Sequence, residues 1–223
     1  MTLRNIQLDK KTLKKFVASG FIAWKEKPVT FKSGLSSHVY VGGRDDLTHD
    51  PELLLAIGGA LAKRVKALTP KGFLPCLIGI PSAGRTLAQA AAMHPKGKFA
   101  FEILRDRKKA YGAHKKWVDG RPQPKRFFYF TIDNTITDGA SKYEAFERLC
   151  EDGYPAKRMS HLILVDREEG GAEKLRARGY RVETVWNLTD IVRALVAHKI
   201  WTQKRGAIAL AEIAENRKAV SAV

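Results

Sequence analysis

Apolar positions in this chain collect into short runs, each ending on a polar or charged tip and separated by stretches with helical spacing. Leu74–Ile80, Phe99–Leu104, the aromatic run from Phe127 to the tip Asp133-Asn134, Ser160–Asp166 and Tyr180–Val185 have the length and composition of buried strands. Between them the pattern predicts helices. Asp50 caps and Pro51 opens one that runs to about Leu68, and Asp9–Ser19 forms a short one that Gly20 stops. Arg85–Met93, Lys142–Leu149 and Ala172–Arg178 are further helices, and helices fill most of the tail. Pro28–Arg44 reads as extended and turn-rich. Strands that alternate with helices and are apolar on both faces imply an α/β fold with a parallel sheet covered on two sides. Ligands in such sheets collect at the carboxyl ends of the strands. Here those ends carry Pro81-Ser82-Ala83-Gly84, Arg105, Asp133-Asn134 and Asp166-Arg167. No internal repeat or long linker interrupts the pattern, so residues 1–223 are expected to form a single domain.

Composition adds limits. A length of 223 residues suffices for one sizeable core, and 44% hydrophobic residues is a globular rather than a disordered composition. The apolar run Phe73–Ile80 is short and broken by Pro75, and no run reaches the length of a membrane span. The first ten residues lack the apolar core of a signal peptide. Cys76 and Cys150 sit in apolar surroundings without metal-type spacing, which predicts buried free thiols and a cytoplasmic location. A net charge of +17 points to anionic small molecules, to nucleic acid, or to solubility alone. The densest basic block, Arg105–Lys116, has few apolar anchors and reads as a loop.

The chemistry is concentrated after the aromatic run. Strand, polar tip, Thr/Gly/Ser turn and helix follow one another across Phe127–Leu149. Such a turn aims backbone N–H groups and the positive end of a helix dipole at one point, which suits a phosphate. An acid at the strand tip accepts hydrogen bonds from sugar hydroxyls beside it. A phosphorylated ribose is therefore the expected ligand, with Asp133 on its hydroxyls and Thr137, Gly139, Ala140 and Ser141 around its phosphate. No His/Cys cluster marks a dedicated metal site, and His38, His114 and His161 read as surface or strand histidines.

Four blocks together resemble the orotate phosphoribosyltransferases, a branch of the type I phosphoribosyltransferases. Phe31–Tyr40 is similar to the family's orotate-site block, Ile78–Gly84 to its pyrophosphate loop, Ile132–Ser141 to its phosphoribosyl-pyrophosphate (PRPP) motif, and Leu164–Gly171 to the turn carrying its orotate-binding arginine. The resemblance covers roughly Pro28–Leu188. It implies a type I phosphoribosyltransferase-like parallel sheet flanked by helices, with a small N-terminal hood over about residues 1–45. It also implies transfer of phosphoribose from PRPP to orotate in pyrimidine synthesis. Phe31, Lys32, Tyr40 and Arg167 would hold orotate. Ser82, Ala83, Gly84, Asn134 and Asp138 would join Asp133, Thr137, Gly139, Ala140 and Ser141 around PRPP. Arg105, Lys109 and Tyr111 would belong to a catalytic lid that closes over PRPP from a neighbouring subunit, making the protein a homodimer. Asp133, Lys109 and Arg105 would be catalytic, and Mg²⁺ would arrive on PRPP oxygens. The chain departs from the family pattern at His38, where proline is usual, at Asn134, usually acidic, at Asp106, usually lysine, and at Asp138, whose carboxylate is expected to turn away from the phosphate turn. These departures leave a second reading, ranked well behind: a weakened PRPP-fold regulator or RNA-binding protein. Its length resembles the single-function form, without an attached decarboxylase.

Overall fold

A computed structural model describes residues 8–31, 34–42, 47, 49–109 and 116–221. The chain opens with helix α1 (Lys10–Ala18), whose N-cap Asp9 accepts a hydrogen bond from the Thr12 amide and whose exit passes through Gly20 at positive φ. Strands β1 (Ile22–Thr30) and β2 (Ser36–Val41) then form an antiparallel hairpin. The extended segment expected from Pro28 thus begins six residues earlier. The run Ile22–Lys27 carries lysines and a glutamate that hid it, because only one side of this hairpin faces the core.

Helix α2 (Pro51–Leu68) starts where the Asp50-Pro51 signal placed it, with Asp50 accepting from the Leu53 amide. The remaining strands are β3 (Leu74–Gly79), β4 (Ala100–Ile103), β5 (Phe127–Ile136), β6 (Met159–Asp166) and β7 (Val182–Asn187). They form one parallel sheet of five strands in the order β4-β3-β5-β6-β7. The helices between and after them are α3 (Ala83–Met93), α4 (Ala140–Glu151), α5 (Gly171–Ala177), α6 (Leu188–Ala197) and α7 (Gln203–Ser221).

Both faces of the sheet are covered. Phe128, Phe130 and Ile132 of β5 point into a cluster built with α1, the hairpin, α2, α3, α6 and α7. Phe127 and Tyr129, on the alternate positions, pack with Ala145, Phe146 and Leu149 of α4. Each buried aromatic of this kind stabilises the fold by about 1.5–3 kcal/mol. All eight residues of β6 are buried, as expected for an interior parallel strand, whereas β4 at the sheet edge is mostly exposed.

Two boundaries differ from the sequence pattern in a way that matters. β5 does not stop at Asp133-Asn134 but runs on to Ile136, pairing with β6 as far as Asp166. The polar pair therefore lies inside the strand, and the turn is confined to Thr137–Gly139. β7 begins at Val182, and Tyr180 instead packs its ring edge-on to Phe146, 4.4 Å between centroids.

Candidate active site

Three loops at the carboxyl end of the sheet are drawn together by backbone contacts. The pyrophosphate-type turn leaves β3 with a cis Pro81–Ser82 peptide and enters α3. The Ile80 amide donates to the Ile132 carbonyl, and a Cβ on Gly84 would sit 2.1 Å from that carbonyl oxygen and 3.3 Å from the Asp133 Cα. Only glycine lets α3 approach β5 so closely, and Ser82, Ala83 and Gly84 thereby stand beside Asp133. The turn after β6 is seated similarly. The Arg167 amide donates to the Ile136 carbonyl, and a Cβ on Gly171 would lie 2.1 Å from the Thr137 carbonyl oxygen.

The hood hairpin closes the group from above. Asn134 donates from Nδ2 to the Gly42 carbonyl at 2.9 Å, so its side chain fastens the hood to β5. Phe31 lies beneath the Arg167 guanidinium, 3.7 Å from ring centroid to Cζ. Lys32 and Tyr111 lie outside the described residues. Tyr40 is 38% exposed on the outer face of β2, with the Lys25 ammonium 5.3 Å from its ring centroid.

The electrostatics of this end are built from buried pairs. Asp133 is 6% exposed; its Oδ2 lies 2.7 Å from Lys142 Nζ, and its Oδ1 accepts from the Asn134 amide at 2.8 Å. Removing one partner of such a pair costs about 3–5 kcal/mol, because a buried charge is left uncompensated. Arg167 is equally buried, and its Nε donates to Glu169 Oε1 at 2.9 Å. Burial pulls the Arg167 pKa down, while Glu169 and then Tyr40 push it back up. Burial raises the Glu169 pKa, and its Oε2 has no hydrogen-bond partner. A guanidinium held over an aromatic ring beside an under-satisfied carboxylate has the geometry to exchange that partner for an incoming planar carboxylate.

Gly139, at positive φ, leads into α4, and Ala140 and Ser141 begin that helix. Asp138 Oδ1 accepts from the Ala140 amide at 3.1 Å. A short acidic side chain at a turn takes the nearest free N–H. Asp106 is likewise engaged, bonded to Arg85 at 2.9 Å, while Arg85 also reaches the Leu104 carbonyl. Arg105 pairs with Asp119, and Arg105 and Lys109 share a cavity of about 500 Å³ with Glu102 and Lys116 at the β4 edge. Within one chain this cavity is lined by none of the residues around Asp133.

Among the described residues no three His, Cys, Asp or Glu side chains come together as a metal cluster. Asp133 is already matched by Lys142, and Asn134 offers a neutral amide, a poor donor set for a protein-held Mg²⁺. Cys76 is buried and free, with its thiol pKa pushed up by burial. Cys150 is also free but only half-buried, against the expectation that both are enclosed. Among the described residues no helix is long and apolar enough to cross a membrane.

Lys142 was not singled out by sequence. The available signal was a lysine in the first turn of α4, where the helix dipole favours an acid. Glu212 was missed too. This residue of α7 accepts from the Ser37 hydroxyl and the His38 amide, and pairs with the His38 ring. That explains histidine at a position where proline would remove the amide donor.

An open parallel sheet with an acid near the tip of its central strand and glycine-bearing turns beside it has the architecture of the type I phosphoribosyltransferase fold. No family model matches the chain. It is 31% identical over 159 residues to the orotate phosphoribosyltransferase of Methanopyrus kandleri, an alignment covering 71% of this chain and 79% of that protein. It is 30% identical over 178 residues to uridine 5′-monophosphate synthase of Bos taurus, covering 79% of this chain but 35% of that protein. The structure of Leishmania donovani UMP synthase superposes with a TM-score of 0.76 at 23% identity, over 92% of this chain and 42% of that one, and supports the fold. The chain belongs to the orotate phosphoribosyltransferase family.

Proposed function

We propose that this protein transfers the phosphoribosyl group of PRPP to orotate, releasing pyrophosphate and forming orotidine 5′-monophosphate for pyrimidine nucleotide synthesis. A ring nitrogen of orotate bonds to the anomeric carbon, and the bond from that carbon to pyrophosphate breaks with its electron pair leaving on pyrophosphate. The ring proton passes to solvent. The observation that carries this reading is the juxtaposition of Asp133, the Thr137–Ser141 turn and the Arg167–Phe31 stack. In it, Asp133 faces the charge that develops on the sugar as pyrophosphate departs. Thr137, Gly139, Ala140 and Ser141 hold the 5′-phosphate, with Asp138 yielding the Ala140 amide to it. Ser82, Ala83 and Gly84 receive pyrophosphate. Arg167, Phe31, Tyr40 and Lys32 hold orotate, with Arg167 turning from Glu169 to the substrate carboxylate. Asn134 acts mainly by anchoring the hood.

Arg105, Lys109 and Tyr111 belong, in this reading, to a lid that closes the site of a second copy, so the working unit is a homodimer. Their place at the β4 edge, apart from Asp133 of the same chain, supports a shared lid. Mg²⁺ enters as part of the substrate, on PRPP oxygens. Residues 1–223 act as one domain; the single apolar cluster joining Phe16 and Phe21 of the hood region to Trp186 and Ile191 supports this. Two free thiols support a cytoplasmic setting. The test is a magnesium-supplemented absorbance assay with PRPP and orotate, run beside uracil and hypoxanthine. Orotate consumption that requires PRPP is expected; turnover of hypoxanthine instead of orotate overturns the assignment.

A further inference from the structure

We infer that Lys142 is a positioning residue that makes the ribose end of the site electrically neutral, so that PRPP binds here with little help from Mg²⁺. The inference rests on the proposed PRPP site and extends it. Lys142 is buried to the same degree as Asp133, and its ammonium lies 2.7 Å from the Asp133 carboxylate and 3.3 Å from the Ser141 hydroxyl. It therefore sits between the sugar-binding acid and the phosphate turn. Its location is costly on local grounds: the first turn of α4 carries no acidic residue, and the helix dipole there repels a cation. The Asp133 carboxylate is what offsets that repulsion. The same charge reaches His161 behind the strand, where it adds to burial in lowering that ring's pKa.

The neighbouring position is an amide rather than an acid, and Asn134 is committed to Gly42. The floor under the ribose thus holds one carboxylate and one ammonium. A floor with two uncompensated acids would repel the phosphates of PRPP, and a metal ion between them would relieve that repulsion. A neutral floor removes the need. Two charges a few ångströms apart near a protein surface interact strongly enough to change affinity about tenfold or more.

The charge can be set in both directions, which makes the idea testable. Binding of PRPP is measured by calorimetry with Mg²⁺ and with a chelator, for wild type, Lys142→Met, Asp133→Asn and the double variant. The quantity read is the ratio of the two dissociation constants. For the neutral wild-type floor the two constants are expected within about tenfold of each other. Lys142→Met leaves a negative floor, so metal-free PRPP should weaken about tenfold more than its magnesium complex. Asp133→Asn leaves a positive floor and should shift the ratio the opposite way, while the double variant returns it to the wild-type value. Lys142→Arg should also keep that value. If Lys142→Met fails to fold, Asp133→Asn and the double variant still decide the matter. A ratio that is the same in all variants, or losses shared equally by both forms of PRPP, overturns the inference. Absence of any PRPP binding by wild type would instead refute the proposed function itself.

Discussion

At the scale of single residues, the site is a set of charges that already have partners. Arg167 is held by Glu169 and Phe31, Asp133 by Lys142, Asp106 by Arg85. In the proposed reaction the substrate carboxylate replaces Glu169 on Arg167 while Lys142 stays beside Asp133, so each residue should fail in its own way. Asp133→Asn should lower kcat by about 100-fold or more, the scale of losing one group aimed at transition-state charge. Arg167→Ala should raise the KM for orotate at least about tenfold, the worth of a charge-assisted hydrogen bond, with the KM for PRPP changed much less. Steady-state kinetics in both substrates separates the two; equal effects on both KM values would contradict the assigned roles. Sequence pointed to Asp133 and Arg167 because motif spacing puts them at strand ends. It did not reveal Lys142 or Arg85 as partners, since nothing local marks which charge a folded neighbour will meet.

At the scale of elements, loops are held in place by close backbone approach. Gly171→Ala puts a methyl 2.1 Å from the Thr137 carbonyl, so α5 must move off the phosphate turn. Overpacking of this kind should cost about 1–3 kcal/mol in a thermal or urea melt and loosen PRPP binding. β6 carries two buried titrating groups that oppose each other. Asp166 is pushed up to about 6 by burial, and His161 is lowered to about 4 by burial and the Lys142 charge. Asp166 binds its proton more readily folded than unfolded, so its contribution is full at acid pH and is lost as pH rises through about 6. His161 resists protonation when folded, so its contribution is full above about 6.5 and is lost as pH falls toward about 4. Each slope is about 1.4 kcal/mol per pH unit, with opposite sign. Relative to wild type, Asp166→Asn should make stability rise more steeply from about pH 4 to 6, and His161→Asn should make it rise less or fall. Urea midpoints across that range would read the change, and parallel curves for all three proteins would show that neither shift is real.

At the scale of the whole molecule, the hood and the C-terminal helix are one assembly. Glu212 on α7 takes hydrogen bonds from Ser37 and His38, while Trp24 stacks on His38 at 4.9 Å and meets Trp201 edge-on. Phe31, which follows β1 in this hairpin and is proposed to face orotate, is thereby steadied by residues far along the chain. The proposed shared lid makes a further prediction about assembly. Lys109→Ala and Asp133→Asn proteins, each nearly inactive, should regain about a quarter of wild-type activity when mixed and allowed to exchange subunits. Half the dimers then pair one sound lid with one sound acid; no recovery would show that each chain closes its own site. What the sequence by itself determined was the order of strands and helices, through apolar periodicity, the Asp50-Pro51 start and the Gly20 stop, and the loops proposed to carry the chemistry. These are local signals, fixed within a turn or two of chain. Only the tertiary structure decided that β5 carries Asp133 within its ladder, that Lys142 neutralises it, that Asn134 ties down the hood and that Glu212 clamps it. Such pairings depend on which distant backbone arrives alongside, and burial then makes each one too costly to leave unmade.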